Sequence, residues 1–170
     1  MNVNPQIFRQ YDVRGIVGRD LTPEVVEVLG KGYGTYIVRK GAKTISLGYD
    51  ARLSSPEFCE AMTHGIVSTG IDVVQIGLVA TPVLYFSLFH LDVDGGVMIT
   101  GSHNPPEFNG FKLAVGKTTI FGEEIQAVWR LIQSGQFERG RGQVTQRKVD
   151  AAYIDEQYDE QWLVSGSIPF

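Results

Sequence analysis

The chain has 170 residues, of which 43% are hydrophobic, 11% aromatic and 20% charged, the composition and length of one globular domain rather than of a disordered tail. Nineteen acidic residues against fifteen basic ones leave a formal charge of −4, which argues against a general nucleic-acid surface, where a basic excess is usual. A single cysteine excludes an intramolecular disulfide and a thiolate-rich metal site, and the longest apolar stretch, 78–91, is broken by Pro82 and too short to span a bilayer.

Taken in chain order, the first element is a helix over 22–40. Thr22 supplies the N-cap, Pro23 the first helical position and Glu24 a first-turn acid. Val25, Val26, Leu29, Tyr33, Tyr36 and Ile37 recur near helical spacing. Gly30, Gly32 and Gly34 interrupt that pattern, each at a cost of about 1 kcal/mol relative to Ala, and mark close packing against another element. A strand follows over 43–49 and ends in the polar group Asp50-Ala-Arg52. The second helix is expected to be capped by Ser55, opened by Pro56 and Glu57, and closed by Gly70. A strand at 71–76, a short apolar helix at 83–91 entered through Thr81-Pro82, and strands at 96–100 and 111–115 come next. A turn-rich loop, 101–110, separates the last two strands. Residues 123–134 form a fourth helix with Ile125, Val128, Trp129 and Ile132 on one face.

Strands alternating with helices predict an α/β three-layer sandwich with a mixed, largely parallel four-stranded sheet between helices. The last two strands, joined by a loop alone, are expected to be antiparallel. The domain is expected to close at residue 135. Residues 136–148 are polar and Arg/Gly-rich, and 150–164 could form one more helix aligning Ile154, Tyr158 and Trp162. Residues 136–170 therefore read as a linker and helix leading towards a second domain.

The loop TGSHNPPEFNGFK, 100–112, is the most unusual segment. It places Ser102 just past a buried strand, beside His103, and restrains it with two prolines and an Asn-Gly turn. Strand ends are where functional groups gather in open α/β sheets, and a rigid loop there can hold a hydroxyl for covalent chemistry. An ordinary Pro-rich connection is the competing reading. Arg14, in the run YDVRG at 11–15, could meet a phosphate bidentately or form a surface ion pair. Other motifs carry less. The segment 110–118 imitates a P-loop but has five residues between its glycines where that motif has four, and its first Gly precedes a strand. Asp92 and Asp94 lack the further ligands of a calcium loop and read as a turn. Cys59 reads as core, and His64 and His90 are isolated.

The stretch 100–112 resembles the phosphoserine loop of the alpha-D-phosphohexomutases, in the form carried by the phosphomannomutase/phosphoglucomutase branch. The segments FRQYDVRG at 8–15, GYDARLSSP at 48–56 and GIDVVQIGLVATP at 70–82 agree with the same family in order and spacing. The resemblance covers residues 6–135 and implies the first domain of a four-domain enzyme of carbohydrate metabolism whose remaining domains are its partners; the first ten residues, lacking the apolar core of a signal peptide, add the expectation of a soluble, cytoplasmic protein. It implies a phosphorylated Ser102 that donates its phosphoryl group to a hexose phosphate, forms a hexose 1,6-bisphosphate and recovers a phosphoryl group from the other end. Mg2+ would sit on the Ser102 phosphate, its carboxylate ligands coming from another domain. Lys112 and Arg14 would supply local cations, and His103 either a proton shuttle or a loop anchor. Tyr11 would line the cleft, and Asn104, Asp50 and Arg52 would support the loop. The isolated chain is then expected to be nearly inactive. A standalone phosphosugar-binding or interaction module is the alternative. A serine hydrolase built on Ser102 and His103 is disfavoured, because adjacent side chains diverge in extended backbone and no nucleophile-elbow motif is present.

Overall fold

The computed structural model describes residues 3–157. A short 3-10 turn at Pro5–Ile7 leads into β1 (Val13–Ile16), α1 (Pro23–Val38), β2 (Thr44–Tyr49), α2 (Ser55–Val67), β3 (Asp72–Leu78) and α3 (Thr81–His90). There follow β4 (Gly95–Ile99), β5 (Phe108–Val115), β6 (Thr118–Thr119), α4 (Glu123–Ser134), β7 (Val144–Gln146) and α5 (Asp150–Gln157). Tyr158, Trp162 and the expected end of the last helix at 164 lie outside the described residues.

The sheet runs β1-β5-β4-β2-β3-β7, with β6 paired to β5. It has seven strands where four are expected. β1 holds an Arg and a Gly in four residues, β6 has two residues, and β7 is VTQ, so none of the three shows an apolar period. β2, β3, β4 and β7 are parallel, whereas β4–β5, β1–β5 and β5–β6 are antiparallel. The β4–β5 pairing is as expected of two strands joined by a loop alone. β5 starts earlier than its apolar run, because Phe108, Asn109 and Gly110 pair with Ile16, Gly15 and Arg14 of β1.

One face of the sheet packs on α1, α2 and α4 through a core that includes Leu29, Tyr33, Phe58, Ile66, Val97, Phe111 and Val128. The other carries α3 in a smaller cluster of Ile76, Val83, Leu84, Met98 and Val149. Helices thus cover both faces, which makes three layers. Thr22 caps α1, its Oγ1 accepting from the Val25 amide at 3.4 Å. The glycines of α1 and α2 show why they are there. A Cβ on Gly30 would lie 2.6 Å from the Met62 carbonyl oxygen, and one on Gly65 would lie 2.2 Å from that of Glu27. The two helices therefore touch backbone to backbone, and the close packing expected of the α1 glycines is present.

Ser55 does not cap α2. Ser54 precedes the helix without a capping bond, and the Ser55 hydroxyl donates to Asp50 Oδ1 at 2.6 Å. Asp94 ends a plain turn, its carboxylate accepting from the Lys43 and Thr44 amides. The P-loop-like segment 110–118 is the end of β5, a turn and the start of β6. Cys59 is buried, and burial pushes its thiol up to about 11. The polar stretch after residue 135 is fastened to the sheet edge. The Gly140 and Gly142 amides bond the Ser68 and Val67 carbonyls, and β7 pairs with β3 at Val73, Val74 and Gln75. Among the described residues, no helix is long and apolar enough to cross a membrane.

Candidate active site

Residues 100–107 leave the carboxyl end of β4 and return at β5. Ser102 stands exposed in this loop and is the only non-glycine among the described residues with positive φ, +54°. That left-handed conformation costs a residue bearing a Cβ on the order of 1–2 kcal/mol, and such strain persists only where the surroundings hold it. Here they do so from both sides of the peptide chain.

On the carbonyl side the agent is Arg52. Its Nη1 donates to the Pro105 and Phe108 carbonyls at 2.8 and 3.0 Å, and its Nη2 to those of Ser102 and Asn104 at 3.1 and 2.7 Å. One guanidinium thereby ties together four peptide units of the loop. Gly101 makes room for it, since a Cβ at that position would lie 2.2 Å from Arg52 Nε. On the amide side, Asp50 Oδ2 accepts from the Gly101 amide at 3.2 Å, and Thr100 Oγ1 accepts from the Ser102 amide at 2.9 Å. Asp50 also pairs with Arg52, Oδ2 to Nε at 3.4 Å. Burial alone would raise the Asp50 carboxyl. The bonds from Ser55, the Arg52 amide, Thr100 and Gly101 outweigh it and hold the group below its ordinary value. Asn104 completes the turn, its side chain donating to the Gly101 carbonyl at 2.9 Å.

Four of the expected residues, Ser102, Asn104, Asp50 and Arg52, thus form one bonded unit, and they share a cavity of about 720 Å³ with Leu53, Pro106 and Glu107. The cations approach along the sheet. Arg14 pairs in register with Gly110, and Lys112 with Met98. Paired residues project to one face and alternate residues share it, so Arg14 and Lys112 lie on the α3 side, on adjacent strands, diagonal neighbours about 7–8 Å apart. β5, which carries Lys112, runs between β1 and β4. Arg14 is mostly buried and pairs with Asp12, yet its Nε has no hydrogen-bond partner. Tyr11 stands further out. It is 70% exposed, faces Phe121 at 6.4 Å between ring centroids, and lines a separate hollow of about 220 Å³ with Arg14. His103 is exposed beside Ser102.

Sequence reasoning did not single out Thr100, Gly101, Ser55 or Asn109 as site residues. Of these only Gly101 offered a signal, a glycine immediately before a candidate nucleophile. The other three are ordinary polar residues: Thr100 bonds within the loop, and Ser55 and Asn109 meet across 54 residues of sequence.

The chain is similar to known proteins over most of its length. The family described as "Phosphoglucomutase/phosphomannomutase, alpha/beta/alpha domain I" matches residues 5–139. A phosphoglucomutase of Neisseria meningitidis serogroup B is 43% identical over 150 residues, an alignment covering 87% of this chain and 33% of that protein. A phosphomannomutase/phosphoglucomutase of Pseudomonas aeruginosa is 40% identical over 154 residues, covering 91% and 33%. The crystal structure of a phosphoglucomutase/phosphomannomutase family protein from Burkholderia thailandensis superposes with a TM-score of 0.87 at 35% identity, over 91% of this chain and 35% of that one. The chain spans about a third of the length of these relatives. With its loop, its sheet order and these matches in agreement, the chain belongs to the phosphoglucomutase/phosphomannomutase family, to the part of it that forms the alpha/beta/alpha domain I.

Proposed function

We propose that this chain is the phosphoserine-bearing first domain of a cytoplasmic phosphomannomutase/phosphoglucomutase, which interconverts hexose 1-phosphate and hexose 6-phosphate. The observation that carries the reading is the positive φ of Ser102 in a loop bonded on both sides by Asp50 and Arg52. The body of the domain is then the stretch up to residue 135, with β7 and Val149 added at its sheet edge and smaller core, and 136–170 also lead towards the next domain. In the forward step a free sugar hydroxyl attacks the phosphorus on Ser102. The Ser102 Oγ–P bond breaks, a sugar O–P bond forms, and the hydroxyl proton leaves to His103 or water. The resulting hexose 1,6-bisphosphate returns its other phosphoryl group to Ser102 by the reverse chemistry. Such transfers depend on placement and on neutralising the equatorial oxygens more than on acid–base groups. A loop held against rotation supplies the first, and Arg14 and Lys112 the second. Tyr11 would line the cleft, Asn104 would keep the turn closed, and the remaining domains and the hexose phosphate are the partners.

The residues described here do not by themselves make a magnesium site. No group of three or more His, Cys, Asp or Glu is clustered to hold an ion among them, and Asp50, which shares the cavity with Ser102, is paired to Arg52. This chain would contribute the phosphate on Ser102 as a ligand and nothing further, so no step is assigned to the ion.

The native protein purified from its source should carry phosphate on Ser102 and interconvert glucose 1-phosphate and glucose 6-phosphate, and Ser102→Ala should abolish both. Near-normal turnover by that variant would refute the assignment. Hexose-phosphate binding with no turnover by the native protein would instead make this a non-catalytic binding module.

A further inference from the structure

Asp50 can steer the Ser102 loop only if its own carboxylate is fixed, and the structure shows what fixes it. Asn109 is fully buried near the start of β5. Its amide oxygen accepts from the Gly110 amide at 2.8 Å, which orients the group, and its NH2 then faces the start of α2. There Nδ2 donates to the hydroxyls of Ser54 at 2.9 Å and Ser55 at 3.0 Å. Ser55, also fully buried, has a single hydroxyl proton. With Asn109 as donor to its oxygen, that proton is directed to Asp50 Oδ1 at 2.6 Å. Asp50 passes the constraint on through Oδ2 to the Gly101 amide, one residue before Ser102. From Asn109 through Ser55 to Asp50 and Gly101 each bond thus has a defined direction, which favours one arrangement of this buried polar relay.

We propose that Asn109 and Ser55 are positioning residues for Ser102, acting in series through Asp50 to fix the amide side of the loop. Arg52 fixes the carbonyl side and is itself joined to Asp50, so both halves of the loop's support meet at that carboxylate, which the β5 strand and the α2 N-terminus hold through Asn109 and Ser55. The inference rests on Ser102 being the phosphoryl carrier, but the relay can be tested without that.

The test uses this chain labelled with 15N, with Ser55→Ala to remove the relay hydroxyl and Ser55→Thr to restore it. In Ser55→Ala the Gly101 and Ser102 amide resonances should shift and Gly101 hydrogen exchange should quicken about ten-fold, while amides of Val97 and Leu113 stay in place; Ser55→Thr should reverse this. In the native protein kcat should fall about ten-fold with KM little changed. If Ser55→Ala does not fold, Ser55→Cys, with a weak S–H donor in similar volume, takes its place with the same expectations. Unmoved Gly101 and Ser102 resonances in a folded variant would overturn the relay. So would wild-type kcat in that variant of an active protein. A wild type that never gains phosphate would refute the functional reading alone, leaving the amide measurements to decide the relay.

Discussion

The α1–α2 contact and the Ser102 loop are both rigid, but by opposite means. At the helix crossing, Gly30 and Gly65 bring the two backbones into direct contact, so its centre rests on dispersion and excluded volume, with the exposed His64–Glu27 pair only at its margin. At the loop, almost no apolar surface is buried, and order comes from two charged side chains that bond peptide groups. Packing of the first kind resists pH and salt and fails when atoms are added. Bonding of the second kind fails when one charge or one donor is removed, and it can fail without unfolding the domain. A site that must hold a hydroxyl in an unfavourable backbone conformation and still face solvent has only the second means available.

The largest effect should come from breaking the packed region. Gly65→Val places a side chain against the Glu27 carbonyl and should destabilise the domain by about 3 kcal/mol or more, read by urea denaturation. A loss under about 1 kcal/mol would mean that the helices can slide apart. The loop should respond differently. Arg52→Met removes four carbonyl partners at once and should lower turnover of the native protein by about a hundred-fold with only a small change in melting temperature. An equal loss of stability and activity would erase the distinction. Acid sharpens it further. Asp20 is held down to about 2, first by the bond from Arg19 and then by the Ile16 amide, and Asp50 is likewise lowered. A carboxylate with a depressed folded-state pKa gives its stabilisation above the unfolded value and loses it as pH falls through the folded one. Stability should therefore decline between about pH 4 and 2, by on the order of 1 kcal/mol for Asp20, and Asp20→Asn should flatten that part of the curve. The smallest effect is expected at the α1 cap, where Thr22→Ala should cost about 0.5–1 kcal/mol, measured by thermal melting.

Much of the fold was legible because long amphipathic helices and apolar strands announce themselves: α4 matches its expected bounds of 123–134, and α1 is off by two residues at its end. The strands that escaped notice are those whose partners hold them in place. β1 depends on β5, and β7 is a short exposed triplet, VTQ, recruited by β3. The same limit applies to the site. Ser102, Asn104, Asp50 and Arg52 stand in recognisable motifs, and the structure joins them. Ser55 read as a helix cap because a serine before Pro-Glu fits that role locally, and nothing near it in sequence reveals that Asp50 competes for its hydroxyl. Asn109 looked like half of an Asn-Gly turn, but the strand opposite it draws it into the sheet instead.

The fastening of 140–147 along β3 has a geometric consequence. Because β2, β3, β4 and β7 run parallel, Tyr49, Leu78, Ile99 and Gln146 all end at the same rim of the sheet, and the Ser102 loop rises from that rim. The backbone at Val149 therefore leaves the sheet near the rim that carries the Ser102 loop, and α5 follows with Tyr153 against Phe86 of α3. Pairing of three residues at the sheet edge thus sets the point and direction from which α5 departs.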